Sequence, residues 1–89
     1  MRKINIKKTF AKITQFPDEL VMDIPKISVT GKEKVEIINY KSLIEYEDTV
    51  IRINTAYKVI KIEGTGLIIR NISDDELICE GEITKIIFE

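Results

Sequence analysis

Five apolar-led tetrads recur at intervals of nine residues through the second half of the chain: VIRI from Val50, VIKI from Val59, IIRN from Ile68, LICE from Leu77 and IIFE from Ile86. Side chains alternate between faces along a strand, and nine is odd, so successive units present their pattern with reversed parity, as an antiparallel meander with even-length loops requires. Composition points the same way: 19 Ile, 5 Val and 7 Thr stand against 4 Leu and 2 Ala. Branched side chains lose little by being held extended and pack well on a pleated surface. Ile51, Ile53, Ile60, Ile62, Leu67 and Ile69 then share a face, which is assigned to the core. The opposite face carries Val50, Arg52, Val59, Lys61, Ile68 and Arg70, half apolar and half cationic, before turning apolar again at Leu77, Cys79, Ile86 and Phe88. That change implies a sheet that curls, or last strands that cover a different part of the core.

Turn signals fall at Asn54, at Gly64 to Gly66, at Ser73 to Asp75 and near Gly81. Upstream, KISVTG, KVEII and SLIEY read as three further strands, giving about eight in all. The expected fold is all-β: a single curled antiparallel sheet, sandwich or roll of short strands. The rival is a parallel β-helix, which uses the same nine-residue period. It would stack Arg52, Lys61 and Arg70 on neighbouring rungs, and the glycine and aspartate pattern of calcium-binding repeats is missing.

Ahead of the strands, Ile6, Phe10 and Ile13 fall at helical spacing, and Arg2, Lys3, Lys7, Lys8 and Lys12 make a basic arm with no acid among them. The division expected is an arm over residues 1–15, carrying a short helical segment, and a β domain over 16–89. Pro17 suits the first turn of a short helix, Asp18 and Glu19 complement its positive end, and Pro25 stops it, so that Leu20, Val21 and Ile24 close over the sheet edge. Asp18, Glu19 and Asp23 read as this helix start rather than as a metal cluster. Without the five arm cations, nine basic residues face 15 acidic ones, a body of about −6 within a net charge of −1. Such a body repels phosphate backbones and anionic membranes, and only the arm attracts them.

The 89 residues suffice for one domain, near the lower limit for a core without staples. Apolar runs span a few residues, far short of the roughly 20 needed to cross a bilayer, so no transmembrane segment is expected. The N-terminus has no apolar core or cleavage site of a secretory signal, and the one cysteine, Cys79, cannot form an internal disulfide; both suggest an intracellular chain. There is no histidine, which removes the commonest general base and neutral metal ligand. Cys79, inside LICE, reads as a small core residue. Glu45, Glu47 and Asp48, and likewise Asp74, Asp75 and Glu76, suit solvated turns better than acid–base chemistry. The GTG at Gly64 to Gly66 lacks a following GK[ST] and reads as a hairpin turn. Arg52, Lys61 and Arg70 with Tyr57 could form a basic, aromatic face for nucleic acid, but the acidic body argues against it.

The order FPDELVMDIPKISVTG, VEIINYKSLIEY, IRIN, IKIEGTGLIIRNI and ELICEGEITKIIFE resembles the YabP/YqfC family of sporulation proteins from endospore-forming Firmicutes, and its YqfC branch most. Pro17, Pro25, Ile27, Gly31, Val35, Ile37, Asn39, Tyr40, Gly64, Leu67, Ile69, Glu76 and Gly81 occupy matching places. Departures are Ser28-Val29, Ile38-Asn39 and Lys41-Ser42, where the family often has Thr, Glu-Asn and Gly. The resemblance implies a small protein made in the mother cell during spore development and associated with spore envelope or cortex assembly. It implies no catalytic group and no cofactor, and it brings a larger membrane protein of the YqfD type as the expected partner.

The expected function is thus a non-enzymatic assembly or adaptor module, cytoplasmic in the mother cell and placed at the forespore membrane surface. Its candidate interaction face is Val50, Arg52, Val59, Lys61, Ile68 and Arg70, and its candidate membrane or partner arm is Arg2, Lys3, Lys7, Lys8 and Lys12. Self-association through that face is also expected, since an apolar sheet face unused by the core needs cover. The alternatives are a small-ligand binder or enzyme working through the acidic turns, and a nucleic-acid-binding module.

Overall fold

The structure is a computed structural model and describes residues 24–89. The expected arm, its helical segment and the readings of Pro17 to Asp23 lie outside the described residues. From Lys26 on the chain is all-β, in six strands: β1 (Lys26–Thr30), β2 (Lys34–Ile38), β3 (Tyr40–Glu47), β4 (Val50–Thr55), β5 (Ile60–Ile72) and β6 (Glu76–Phe88). They form one antiparallel sheet in the order β1-β2-β6-β5-β4-β3, which curls without closing. The core is a single cluster of Val35, Ile37, Ile51, Ile53, Ile60, Ile62, Leu67, Leu77, Cys79 and Ile83, with Ile27, Tyr40, Ile69 and Ile86 packed against it.

There are six strands, not eight, because the last four tetrads merge in pairs. VIKI and IIRN share β5, and LICE and IIFE share β6, each strand being 13 residues long. Gly64 to Gly66 and Gly81, expected at turns, lie inside these strands. Between β5 and β6, Glu63 sits opposite Lys85 but Gly64 opposite Ile83, and further shifts follow between Thr65 and Ile68 and between Ile69 and Asn71. Each bulge adds a residue, bends the strand and flips its parity. In β5 the inward residues therefore change from Ile60 and Ile62 to Leu67, and in β6 from Leu77, Cys79 and Ile83 to Ile86. That flip accounts for the change of character at Leu77 and Cys79: they face the same core as Ile51, not an opposite face.

The bend divides the long hairpin into two halves, each extended by its own neighbours. The first residues of β5 pair with β4, which pairs with β3; the first residues of β6 pair with β2, which pairs with β1. Two glycines permit this crossing. A Cβ on Gly64 would lie 2.1 Å from the Glu82 carbonyl oxygen, and Gly81 has φ 145° with the Leu67 Cα 2.9 Å from where its Cβ would stand. Both bends are gripped by hairpin turns in matching fashion. Gly64 and Leu67 donate their amides to the carbonyls of Thr49 and Asp48 at 3.1 and 2.9 Å, while Gly81 and Ile83 donate to Glu33 and Lys32 at 3.1 and 2.8 Å. Asn39, at φ 69°, is the single residue that carries the chain from β2 to β3, a left-handed corner that Asn tolerates better than a branched residue would.

Candidate protein interaction surface

The outward face of β4 and β5 is where the sequence places an interaction surface, and charge fills it. Arg52 donates to Glu89 Oε1 through Nε at 3.1 Å and Nη2 at 2.8 Å, with Glu45 3.8 Å from Nη1. Lys61 Nζ is 3.0 Å from Glu63. The hydrogen bond and charge of Glu89 raise the Arg52 pKa; those of Glu63 raise that of Lys61; and the Lys61 hydrogen bond lowers that of Glu63. These groups, with Thr49, Val50, Gly64 and Thr84, line a shallow open depression of about 560 Å³ that holds two cations against three carboxylates. A surface of that balance offers a phosphate no net attraction.

Val50 and Val59 are half-buried, and Val59 accepts the Glu89 amide at 2.8 Å. Ile68 and Arg70 lie beyond the bend, where Arg70 pairs with Glu80 at 3.1 Å. The six expected face residues are thus split by the Gly64 to Gly66 bulge into two groups. Of the acidic turns, Glu45 is held near Arg52, and Asp48 and Asp75 serve the fold through their carbonyls. Tyr57 stands at the Thr55–Lys58 turn, where the Thr55 hydroxyl accepts the amides of Tyr57 and Lys58 at 3.1 Å each. Among the described residues no group of three or more Cys, Asp or Glu is arranged to hold a metal ion, and no helix is long and apolar enough to cross a membrane. The Arg2, Lys3, Lys7, Lys8 and Lys12 arm lies outside the described residues.

The exposed apolar surface lies elsewhere, at the seam where the curl fails to close. β3 and β5 are not paired, and the chain at either end of β3 is tied to β5 and to the β5–β6 turn: the Asn39 amide donates to Asp75 at 2.6 Å, the Tyr40 hydroxyl donates to the Ser73 carbonyl, and the Leu67 amide donates to Asp48. Between these points Tyr46 supplies the bridge, its hydroxyl accepting the Ile69 amide at 2.9 Å. Leu43 and Tyr46 pair with buried Ile53 and Ile51, and Ile72 pairs with buried Leu77, so all three point to the core side. Yet Tyr46 and Ile72 are each 48% exposed and Leu43 is 36% exposed. Inward-facing side chains that stay in water mark an unfinished core, the kind of surface that a partner completes.

Sequence reasoning missed this seam because SLIEY reads as an ordinary strand. The usable signal was its broken alternation: Leu43, Ile44 and Tyr46 cannot all share a regular strand face, and β3 carries bulges between Tyr40 and Ser42 and between Leu43 and Glu45.

The resemblance positions fall on these structural devices. Gly31 takes the β1–β2 turn with φ 55°, Asn39 and Tyr40 form the corner and its clamp, and Gly64 and Gly81 form the bends. No solved structure matches the chain significantly. The chain is similar to a protein of Bacillus subtilis (strain 168) named "Uncharacterized protein YqfC", with 26% identity over 82 residues that cover 92% of this chain and 88% of that protein. The sequence profile of the YabP family matches residues 23–89, which is the whole β domain described above, and the chain belongs to that family.

Proposed function

We propose that this chain is a non-enzymatic adaptor of spore formation, which completes its own open seam with a protein partner during spore envelope or cortex assembly. Family membership suggests the sporulation-related role. The observation that carries the adaptor reading is the seam itself, with Leu43, Tyr46 and Ile72 turned toward the core yet left in water. The partner proposed is a membrane protein of the YqfD type, met in the mother cell at the forespore membrane, where Arg2, Lys3, Lys7, Lys8 and Lys12 would add attraction to anionic lipid. This places the contact at the seam rather than at Arg52 and Lys61, whose charges are already neutralised within the chain.

The test is co-purification of the tagged chain with the YqfD-type protein from sporulating cells, comparing the parent with Leu43→Lys/Ile72→Lys. Loss of the partner and of heat-resistant spores, with the β circular dichroism retained, is expected. A double variant that keeps both partner and spores would end the reading. Arg52→Gln, which disturbs only the outward face, is expected to leave binding unchanged.

A further inference from the structure

The seam between β3 and β5 presents backbone as well as side chains. Ladder bonds in an antiparallel pair fall on alternate residues, so the register tells which way each peptide group points. Glu47 and Val50 pair across the turn at Asp48 and Thr49, which directs the amide and carbonyl of Tyr46 away from β4; beyond the bulge, those of Leu43 point the same way. On β5 the Leu67 amide reaches Asp48 and the Ile69 amide reaches the Tyr46 hydroxyl, so the peptide groups of these two residues face the seam. Ser73 turns its amide to Glu76 of β6, which directs those of its neighbour Ile72 to the seam as well. Leu43 and Tyr46 on one edge, and Ile69 and Ile72 on the other, thus aim peptide groups into the gap while their side chains lie on the core side.

The Ile69 amide shows what the gap suits. In a continuous sheet its acceptor would be a carbonyl on a strand about 4.8 Å away. Here the acceptor is the tip of the Tyr46 side chain, 2.9 Å from the nitrogen, in the place of a missing strand. Both ends of the seam are acidic. Glu47 and Asp48 stand at one end and Asp74 and Asp75 at the other, all exposed. Against them the two strands carry Lys41 and Arg70, and Arg70 is already paired with Glu80.

We propose that the seam takes an extended segment of the partner protein, added as a strand against β5, with aliphatic side chains at alternate positions beside Leu43, Tyr46 and Ile72 and lysine or arginine at its ends. This rests on the adaptor reading above and adds how the partner is held. A helix uses its amides and carbonyls on itself and would leave those of the seam unpaired, whereas a strand pairs them and directs every second side chain to the core. A second copy would bring the same acidic ends against these.

The test is amide hydrogen exchange on the ¹⁵N-labelled full chain, titrated with a synthetic peptide of alternating valine and threonine flanked by lysines. Saturation is expected to slow exchange of the Ile72 amide at least ten-fold. Glutamates in place of the lysines, or prolines in place of two successive central residues, are each expected to weaken binding at least five-fold. Tyr46→Phe removes the hydroxyl that competes for the Ile69 amide, and is expected to tighten binding about three- to ten-fold, whereas loss of a mere brace would weaken it. The proposal is overturned if the lysine-flanked peptide leaves Ile72 unprotected, if the glutamate or proline peptides bind equally well, if Tyr46→Phe weakens binding, or if Ile72 becomes protected with rising protein concentration alone, which would make a second copy the occupant. Should the peptide fail while Leu43→Lys/Ile72→Lys still loses the membrane partner, strand addition falls and the adaptor reading stands. Retention of that partner by the double variant ends the adaptor reading whatever the peptide does.

Discussion

Replacing Gly64 by Ala tests the central feature of the fold, the bend that lets one hairpin serve two half-sheets. An added Cβ would lie 2.1 Å from the Glu82 carbonyl oxygen and 3.0 Å from Leu67 Cδ2. The first of these is backbone on the paired strand, so it cannot rotate away, and relief requires β5 and β6 to part by about an ångström where Gly64 faces Ile83. Such a shift weakens neighbouring amide bonds, about 1 kcal/mol each, including that of Gly64 to Thr49, and loosens the packing of Leu67 and Ile83. With overpacking at about 1–3 kcal/mol, the expected total is about 3–4 kcal/mol. Gly66 is the matched control: at φ 64° it has nothing within 4 Å of its Cβ position, so Gly66→Ala costs only the left-handed backbone term of about 1–2 kcal/mol. Urea denaturation gives the difference directly. In thermal melts, at about 4–8 °C per kcal/mol for a domain this small, Gly64→Ala should fall at least 12 °C below the parent. If Gly64→Ala loses less stability than Gly66→Ala, the bend is not the close backbone crossing described and the reasoning fails.

Ile62→Asp places a carboxylate at a fully buried position against Ile51 and Ile86, and should abolish the cooperative melt; a transition close to that of the parent would refute the face assignment. Cys79 is fully buried, and burial pushes its thiol up to about 11. A folded value above the unfolded one means stability present below the unfolded pKa and lost as pH rises through the folded one, so stability should decline between about pH 9 and 11, and Cys79→Val should flatten that slope. The same burial makes the thiol unreactive in the native chain, with labelling by a thiol reagent appearing only on unfolding. Tyr46→Phe leaves the Ile69 amide without its acceptor, at a cost of about 1–2 kcal/mol, and hydrogen exchange at Ile69 should accelerate more than at Leu67. Equal protection of both amides would show that the hydroxyl is not the bridge.

Much of the fold was legible without coordinates. Of the expected core face, Ile51, Ile53, Ile60, Ile62 and Leu67 are buried and Ile69 packs against them, and the nine-residue recurrence falls on strands, though its five units occupy three strands rather than five. These are local properties: a side chain's face follows from its neighbours two positions away, and β-branching states its preference residue by residue. The strand count was not legible, because the Gly64 and Gly66 pair and the single Gly81 look alike whether they reverse a chain or bulge within it. What decides is whether the flanking segments find partners along one continuous ladder, which depends on β2 and β4, about 40 and about 10 residues away along the chain from the strands they pair with. The same holds for the surface. From its spacing Arg52 looks like a free cation on an open face, but the curl brings Glu89 to it from 37 positions away, and it brings Tyr46 to Ile69 across the gap between unpaired strands. Sequence thus determined that these residues form strands and which side chains seek the core. Tertiary structure alone decided where that core stays open, because the opening is a mismatch in length between the long β5–β6 hairpin and the shorter strands laid against it.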